Sequence, residues 1–202
     1  MHGVKIMVNK KICLLLILLM GLSGCAGAVV GAGTTVALAT AQERTFDDAV
    51  DDTFIKMKIN GLWLDSDVKM FSNCSMTVSE GRVLLTGVVK TEEIMAKAVE
   101  LTWQVDGVKE VINEIIVDPK GKTLIDISKD EWLILKIRAN LTVQKDVQAI
   151  NYSVDSVRGN IYLIGIAQNE QELDKVINII RNTKSVASVV SYVRLKEIDD
   201  EY

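Results

Sequence analysis

Histidine is nearly missing from this 202-residue chain, which contains one, His2. That residue lies in an N-terminal segment with the features of a signal peptide, so we expect the mature chain to contain no imidazole. Histidine is the usual base of nucleophile–base pairs and a common zinc ligand. Its absence excludes a Ser-His-Asp triad, a Cys-His pair and a histidine-containing zinc site. We therefore predict no metal ion and no cofactor.

Basic residues are also few, with 23 Lys and Arg against 27 Asp and Glu and a formal net charge of -4. Residues 1–24 include three lysines and no acid, so their removal would lower the net charge to -7. An acidic chain is a poor nucleic-acid binder, and we expect no nucleic-acid partner. The chain also lacks the nucleophile elbow, the P-loop and the dinucleotide fingerprint. These absences predict that the protein is not an enzyme.

The N-terminus has the pattern of a secretory signal. Three lysines precede the apolar run Ile12–Met20, and small residues follow it. Leu22-Ser23-Gly24-Cys25 resembles the lipobox of bacterial lipoproteins, in which the cysteine is acylated and becomes the first residue of the mature chain. We therefore predict a signal peptide at residues 1–24 and lipidation of Cys25. Several acyl chains, palmitate among them, would form a firm membrane anchor.

A membrane-spanning helix is the alternative for this segment, because no residue from 12 to 42 is charged and about 20 residues cross a bilayer. Five glycines between residues 21 and 33 argue against it, since glycine weakens a helix. In the lipoprotein interpretation, residues 25–47 are a flexible tether. Ala26 after the cysteine then resembles the signal for sorting to the outer membrane. Removal of Cys13 and lipidation of Cys25 would leave Cys74 as the remaining thiol of the mature chain, and we predict that it is a small core residue.

The chain after the tether is an internal repeat of one sequence unit. A shift of 78 residues superimposes Gly81–Gly87 on Gly159–Gly165 and pairs Lys58-Ile59 with Lys136-Ile137 without a gap. The repeat predicts two domains joined by a short polar linker. The predicted boundaries are 48–118 for the first domain, 119–126 for the linker, 127–196 for the second domain and 197–202 for an acidic tail.

The pattern of each copy predicts a helix, two strands, a second helix and a third strand. This is an α+β fold with two tandem αββαβ domains, in each of which a three-stranded sheet packs against two helices. Gly81 and Gly159 are predicted to supply the positive φ of a tight turn. Gly87 and Gly165 lie late in the second strand, where they would permit a bulge or close passage of a helix.

The duplicated glycine and aliphatic pattern behind a lipobox resembles the dual BON-domain lipoproteins of Gram-negative outer membranes. The resemblance covers nearly all of the chain beyond the tether. It implies an αββαβ fold, no catalysis and an outer-membrane lipid anchor facing the periplasm. It also implies that one copy binds phospholipid, particularly anionic phospholipid, and that the protein supports envelope integrity and stress tolerance.

The first helix of the second copy has apolar residues on two sides. Leu133, Ile137 and Leu141 form one stripe at about 100° per residue, and we expect them to face the core. Trp132 and Leu135 lie on roughly the opposite side.

Lys129 and Lys136 flank Trp132 and Leu135. A tryptophan-centred apolar face edged with lysine suits the boundary between lipid headgroups and acyl chains. Two interpretations remain open: this face docks on anionic phospholipid, or Trp132 and Leu135 pack between the domains or against the tether. Phe54 and Met57 occupy the same face in the first copy.

We accordingly hypothesise a non-enzymatic envelope lipoprotein that binds anionic phospholipid through its second domain. The alternative hypothesis is a periplasmic interaction module that binds an envelope protein or an unfolded client and not lipid. Its partner would add a strand at the edge offered by the last strand of either copy.

Overall fold

The computed structural model describes residues 46–66 and 72–196. Each copy forms a helix, two strands, a second helix and a third strand, as the pattern predicts. The elements of the first copy are α1 (Phe46–Ser66), β1 (Cys74–Ser79), β2 (Arg82–Val89), α2 (Glu92–Trp103) and β3 (Glu110–Val117). Those of the second copy are α3 (Leu124–Thr142), a short 3-10 turn (Ala149–Asn151), β4 (Tyr152–Val157), β5 (Asn160–Ala167), α4 (Glu170–Arg181) and β6 (Ser188–Leu195).

Both sheets have the same topology. The middle strand, β2 or β5, pairs antiparallel with the strand before it and parallel with the last strand of its copy. The parallel pairing needs a crossover, which the second helix of each copy supplies. Val83 pairs with Val111, and Ile161 pairs with Val189 at the equivalent register. The predicted α+β class, with two αββαβ units, is therefore confirmed.

One face of each sheet is covered by its own helices. In the first copy, Ile55 and Ile59 of α1 pack with Val83 and Leu85 of β2, because alternate strand residues point to the same side. The second core repeats this arrangement at positions 78 residues later. Leu133, Ile137 and Leu141 are buried there, so the predicted core stripe of this helix is confirmed. Cys74 is partly buried and packs against the first core.

The opposite faces of the two sheets pack against each other. This shared cluster contains three residues of each copy: Leu84, Val88, Ile112, Val157, Tyr162 and Ile164. In both β2 and β5, every residue after the first is buried. The shared cluster explains this burial, because it covers the face of each strand that its own helices do not cover. The layers therefore follow the order helices, sheet, sheet, helices, and the two helical layers lie on opposite sides of the molecule.

Polar contacts also cross the interface between the copies. The Arg158 guanidinium lies 2.6 Å from the Asp118 carboxylate, and Arg82 donates to the carbonyl of Tyr192 at 2.8 Å. The Tyr192 hydroxyl donates to Glu114, which is its equivalent in the first copy. Contact between equivalent positions is what an approximate two-fold relation between the copies produces.

The hairpin turns of both copies have a left-handed backbone. Glu80 and Gly81 have φ of 56° and 78°, and Arg158 and Gly159 have φ of 54° and 79°. Two consecutive positive φ angles are typical of the turn that matches the twist of a β-hairpin. The predicted role of the two turn glycines is confirmed, although a charged residue shares the left-handed conformation in each copy.

A buried carboxylate from the first helix holds each turn. Asp52 accepts both backbone N–H groups of the first turn, each at 2.8 Å, and Asp130 accepts those of the second turn at 2.9 and 3.0 Å. Both aspartates are at most 5% exposed. An aspartate pair such as Asp51 and Asp52 is ordinarily a pair of solvated acids near a helix start. Because α1 begins earlier, at Phe46, Asp52 instead reaches the hairpin turn.

Gly87 and Gly165, near the ends of β2 and β5, lie against backbone, and the expected close passage of a helix takes a different form. A Cβ on Gly87 would lie 2.3 Å from the carbonyl oxygen of Asn73, and one on Gly165 would lie 2.0 Å from that of Asn151. The close approach is therefore made by the short helical turn just before the first strand of each copy and not by one of the long helices. Both glycines also have positive φ, 128° and 147°.

Several predictions lie outside the described residues: the signal peptide at 1–24, lipidation of Cys25, most of the tether at 25–47 and the tail at 197–202. Helix α1 begins at Phe46, before the predicted start of the first domain at residue 48. Helix α3 begins at Leu124, within the predicted linker. In the part of the chain that the structure describes, no helix is both long and apolar enough to cross a bilayer.

Candidate functional site

Helix α3 begins at Leu124, well before Trp132 and Leu133, the first apolar residues of its two predicted sides. A capping box starts it: the Thr123 hydroxyl accepts the N–H of Asp126 at 3.1 Å, and the Asp126 carboxylate accepts the N–H of Thr123 at 3.1 Å. The Thr123 hydroxyl also donates to the Asp126 carboxylate at 2.8 Å, and this hydrogen bond, followed by that from the Thr123 N–H, holds the pKa of Asp126 below its ordinary value. The Thr-x-x-Asp spacing at 123–126 is a sequence signal for this helix start.

The predicted second face of α3 points away from the core. Trp132 is 56% exposed and Leu135 is 66% exposed. The Lys136 ammonium lies 5.0 Å from the centre of the Trp132 ring, within the range of a cation–π contact. We call Trp132, Leu135, Lys129 and Lys136 the α3 outer face. Its apolar residues and its lysines lie next to one another, as an interfacial site requires.

Two further apolar residues, absent from the sequence prediction, extend this surface toward the start of the helix. Leu124 is 82% exposed and Ile125 is 66% exposed, although both are large aliphatic side chains. Together with Trp132 they border a groove of about 790 Å³ between α3 and the second hairpin turn. We call it the α3 groove. Its lining consists of Leu124, Ile125, Asp126, Ser128, Lys129, Asp130, Trp132, Leu133, Arg158, Gly159 and Ser185.

Most charges in the α3 groove are already engaged. Asp126 belongs to the capping box, Asp130 holds the turn and lies 3.0 Å from the Lys122 ammonium, and Arg158 pairs with Asp118. No carboxylate among the described residues lies within ion-pairing distance of the Lys129 ammonium. The groove is therefore an apolar surface in which the Lys129 ammonium has no carboxylate in direct contact and interacts only at longer range with Asp126.

The interface between the copies is built without the α3 outer face. It consists of sheet residues such as Leu84 and Tyr162, whereas Trp132 lies on the outer side of a helical layer. The interpretation in which Trp132 and Leu135 pack between the domains is therefore wrong, whereas packing against the tether involves a segment that lies mostly outside the described residues. Because the two sheets satisfy each other's apolar faces, this exposed face needs another explanation.

A family model of the BON domain matches residues 51–119 and 129–197. The chain belongs to the BON-domain family. It is 32% identical over 187 residues to the outer membrane lipoprotein DolP of Haemophilus influenzae, with 91% of this chain and 96% of that protein covered. The match to DolP confirms the predicted dual BON-domain outer-membrane lipoprotein family and places the protein at the outer membrane.

Two other relatives match about three quarters of the chain. An uncharacterized protein in the gshII 5′ region of Anaplasma centrale is 42% identical over 147 residues, covering 73% of this chain and 96% of the relative. The 21 kDa hemolysin of Actinobacillus pleuropneumoniae is 27% identical over 151 residues, covering 74% and 77%. Among solved structures, the type III secretion protein CdsD of Chlamydia trachomatis is 19% identical with a TM-score of 0.31, covering 69% of this chain and 64% of that chain. The family assignment therefore depends on the sequence matches.

The two BON domains present similar apolar faces with a lysine at equivalent positions, Lys58 and Lys136, but two other charges beside the faces differ in sign. In the first domain, Phe54 and Met57 are 57% and 63% exposed at the positions of Trp132 and Leu135. Asp51 occupies the position of Lys129, and Glu80 occupies that of Arg158. Two positive charges beside the face in the second BON domain are thus negative in the first. An anionic surface would therefore attract the second domain more strongly than the first.

The outer edge of the last strand in each BON domain is partly blocked by its own side chains. The Asp118 N–H donates to the Val89 carbonyl, so in the alternation of a parallel pair the N–H of Ile115 points away from β2. That N–H donates to the Asn113 side chain at 3.2 Å. At the equivalent place in β6, the N–H of Val193 donates to the Ser191 hydroxyl at 3.4 Å. This arrangement protects an edge against strand addition.

Removal of these side-chain acceptors should make the edges more adhesive. A chain with both Asn113→Val and Ser191→Val is expected to self-associate more than the wild type, because two edge N–H groups lose their partners. Sedimentation velocity over a concentration series measures this. The matched control, Asn113→Asp with Ser191→Thr, keeps an acceptor at each place and should sediment like the wild type. Equal sedimentation of all three proteins would show that these contacts do not protect the edges.

The described residues also bear on nucleophilic and metal chemistry. Burial raises the pKa of the Cys74 thiol to about 12, so little thiolate is present near neutral pH. No group of three or more histidine, cysteine or acidic side chains among the described residues is arranged to hold a metal ion. The acidic side chains near the α3 outer face have structural contacts: Asp126 caps the start of α3, and Asp130 holds the turn at Arg158 and Gly159.

Proposed function

We propose that this outer-membrane lipoprotein docks its second BON domain on anionic phospholipid, without catalysis, and thereby supports outer-membrane integrity from the periplasmic side. The observation that carries the proposal is the exposed α3 outer face, with Trp132 and Leu135 beside Lys129 and Lys136. Tryptophan and lysine are the side chains that favour the boundary between headgroups and acyl chains. Each lysine near an anionic surface contributes about 1 kcal/mol at low salt.

The acylated Cys25 supplies most of the membrane affinity in this proposal, because buried methylenes of several acyl chains outweigh a few side chains. The protein contact then sets how the anchored domains lie on the membrane. Since the helical layers of the two domains face opposite directions, docking through α3 leaves α1 of the first domain turned away from the same bilayer. The acidic Asp51 and Glu80 of that domain agree with this orientation.

Flotation with phosphatidylglycerol vesicles tests the docking. The described residues belong to one compact unit with both cores and their interface, so residues 26–202 are expected to fold without the anchor. Trp132→Glu should reduce recovery with the vesicles at least about tenfold, because it replaces an apolar contact by a charge repelled by the lipid. Phe54→Glu, the equivalent change in the first domain, should leave recovery unchanged. High salt should weaken wild-type binding.

Equal recovery of the wild type and Trp132→Glu would overturn the proposed docking. Cross-linking that traps one envelope protein, in a chain that does not bind vesicles, would instead support the interaction-module hypothesis. Phosphatidylcholine vesicles serve as the neutral control. Equal binding to both lipids would reject the preference for anionic headgroups while leaving an apolar contact.

A further inference from the structure

We infer that the α3 groove holds one alkyl chain of a single anionic amphiphile, so that docking includes the seating of an individual lipid chain and is not only contact with a flat surface. This inference rests on the proposed function and specifies the ligand at the same site. It arises from the groove's shape and charge, and it makes predictions that surface docking does not.

The groove has the size and walls of a ligand site. Its volume of about 790 Å³ lies within the range of about 300–1,000 Å³ that is usual for small-molecule sites. Leu124, Ile125 and Trp132 contribute apolar side chains at its border, and the buried Leu133 also lines it. Most small-molecule sites combine such apolar walls with a few polar groups.

The far wall is formed by small residues that leave this space open. Gly159 and Ser185 line it on the side of the hairpin turn. In the first BON domain, the Lys109 stem lies against the turn glycine, whereas Ala187 takes the equivalent place in the second domain. The second domain therefore has more room beside its turn, at the position where its helix presents Leu124 and Ile125.

The charge of the groove selects the kind of amphiphile. Lys129 lines the groove with no described carboxylate within 4.0 Å of its ammonium, although it also attracts the more distant charge of Asp126 one helical turn away, while Asp130 is paired with Lys122. An alkyl chain along the apolar wall would bring an anionic headgroup to this ammonium. A cationic headgroup would meet repulsion, and a neutral one would gain less.

The probe for this site is dodecyl phosphate, kept below its critical micelle concentration so that no surface is present. Calorimetric titration of residues 26–202 should give one molecule per chain, and amide shifts should change in residues 123–132 and around Gly159. Butyl phosphate should bind at least about 100-fold more weakly, because eight methylenes are missing. Dodecyl maltoside should bind about fivefold more weakly, because it has no charge for Lys129.

Two variants separate the groove from the surface. Leu124→Ser combined with Ile125→Ser should weaken dodecyl phosphate about tenfold or more, and both side chains are exposed, so the melting temperature should not change. Leu135→Ser is the matched control, since Leu135 is exposed but does not line the groove. It should reduce vesicle recovery and leave the affinity for dodecyl phosphate unchanged.

The outcomes distinguish this inference from the proposed function. If the wild type floats with phosphatidylglycerol vesicles but dodecyl phosphate does not bind, binds several per chain or shifts other residues, the groove inference is wrong and surface docking stands. If dodecyl phosphate binds as described and vesicles are not recovered, membrane docking is wrong and the groove is a site for monomeric amphiphile. Equal affinity of butyl and dodecyl phosphate would also overturn the inference, because a free phosphate would then explain the binding.

Discussion

Gly165→Ala is expected to unfold the second BON domain at ordinary temperature or leave it barely folded. The new Cβ would lie 2.0 Å from the carbonyl oxygen of Asn151, and φ at this position is 147°. The short Cβ–carbonyl distance and the positive φ are both properties of the backbone, so rotation of side chains cannot relieve either of them. We expect a loss of about 4 kcal/mol or more in the free energy of unfolding, at the upper end of point substitutions. Total stabilities of about 5–15 kcal/mol make that loss decisive.

Urea unfolding followed by circular dichroism measures this effect. Gly61→Ala is the matched control, because nothing lies within 4 Å of a Cβ at this exposed helical position. It should raise stability by up to about 1 kcal/mol, since alanine is the better helix former. Gly87→Ala should be as damaging as Gly165→Ala. A wild-type urea midpoint for Gly165→Ala would show that the strands separate more easily than their spacing implies.

The unfolding of the second domain should also expose the first. Leu84, Val88 and Ile112 of the first domain have their apolar partners in the second. A chain in which the second domain has lost its structure would therefore present this face to water, and we expect both domains to unfold in one transition. Domains of about 70 residues have small cores, so a shared interface contributes much of their stability.

Local patterns in the sequence predicted the features that depend on local chemistry. The 78-residue repeat predicted two copies of the same element order, and period-two spacing predicted the hairpins. Gly81 and Gly159 were identified because a tight turn with positive φ needs them. The core stripe of α3 followed from helical spacing, since Leu133, Ile137 and Leu141 return to one side of the helix.

Features that depend on distant contacts were not predictable in the same way. The pairing of the two sheets needs complementary faces, such as Leu84 against Tyr162, and nothing in a strand pattern identifies its partner. The groove combines residues 124–133 with a turn about 30 residues away. Helix α3 begins at Leu124, inside the predicted linker at 119–126, because polar turn residues lead directly into its capping box at Thr123.

Asp130→Asn is the substitution of a single side chain with the next largest expected effect. One carboxylate oxygen accepts from the Ser156 hydroxyl at 2.8 Å and the Gly159 N–H at 3.0 Å. The other accepts from the Arg158 N–H at 2.9 Å and lies 3.0 Å from the Lys122 ammonium. An amide can present an acceptor to one pair of donors but turns its own N–H groups toward the other. We expect a loss of about 3 kcal/mol, because buried donors are left without partners.

Urea unfolding at neutral pH measures this loss, and Asp174→Asn, an exposed site on α4, is the control that should change stability little. Since Asp130 fixes the turn that forms one wall of the α3 groove, the variant should also bind dodecyl phosphate more weakly than the wild type under folding conditions. Wild-type stability in Asp130→Asn would mean that the turn holds its conformation without the carboxylate.

The pH dependence of this difference supplies an independent check. Burial of Asp130 opposes its ionisation, but hydrogen bonds from Gly159, Arg158, Lys122 and Ser156 outweigh burial and lower the pKa. A carboxylate with a lower pKa in the folded state stabilises the fold above its unfolded pKa of about 3.9 and loses that contribution as the pH falls through the folded value. The stability gap between wild type and Asp130→Asn should therefore be constant from pH 7 to about pH 5 and shrink below about pH 4. Other acids with lowered pKa, such as Asp118, affect both proteins equally and cancel in the difference. A gap that widened in acid would show that the charged form of Asp130 is not the stabilising one.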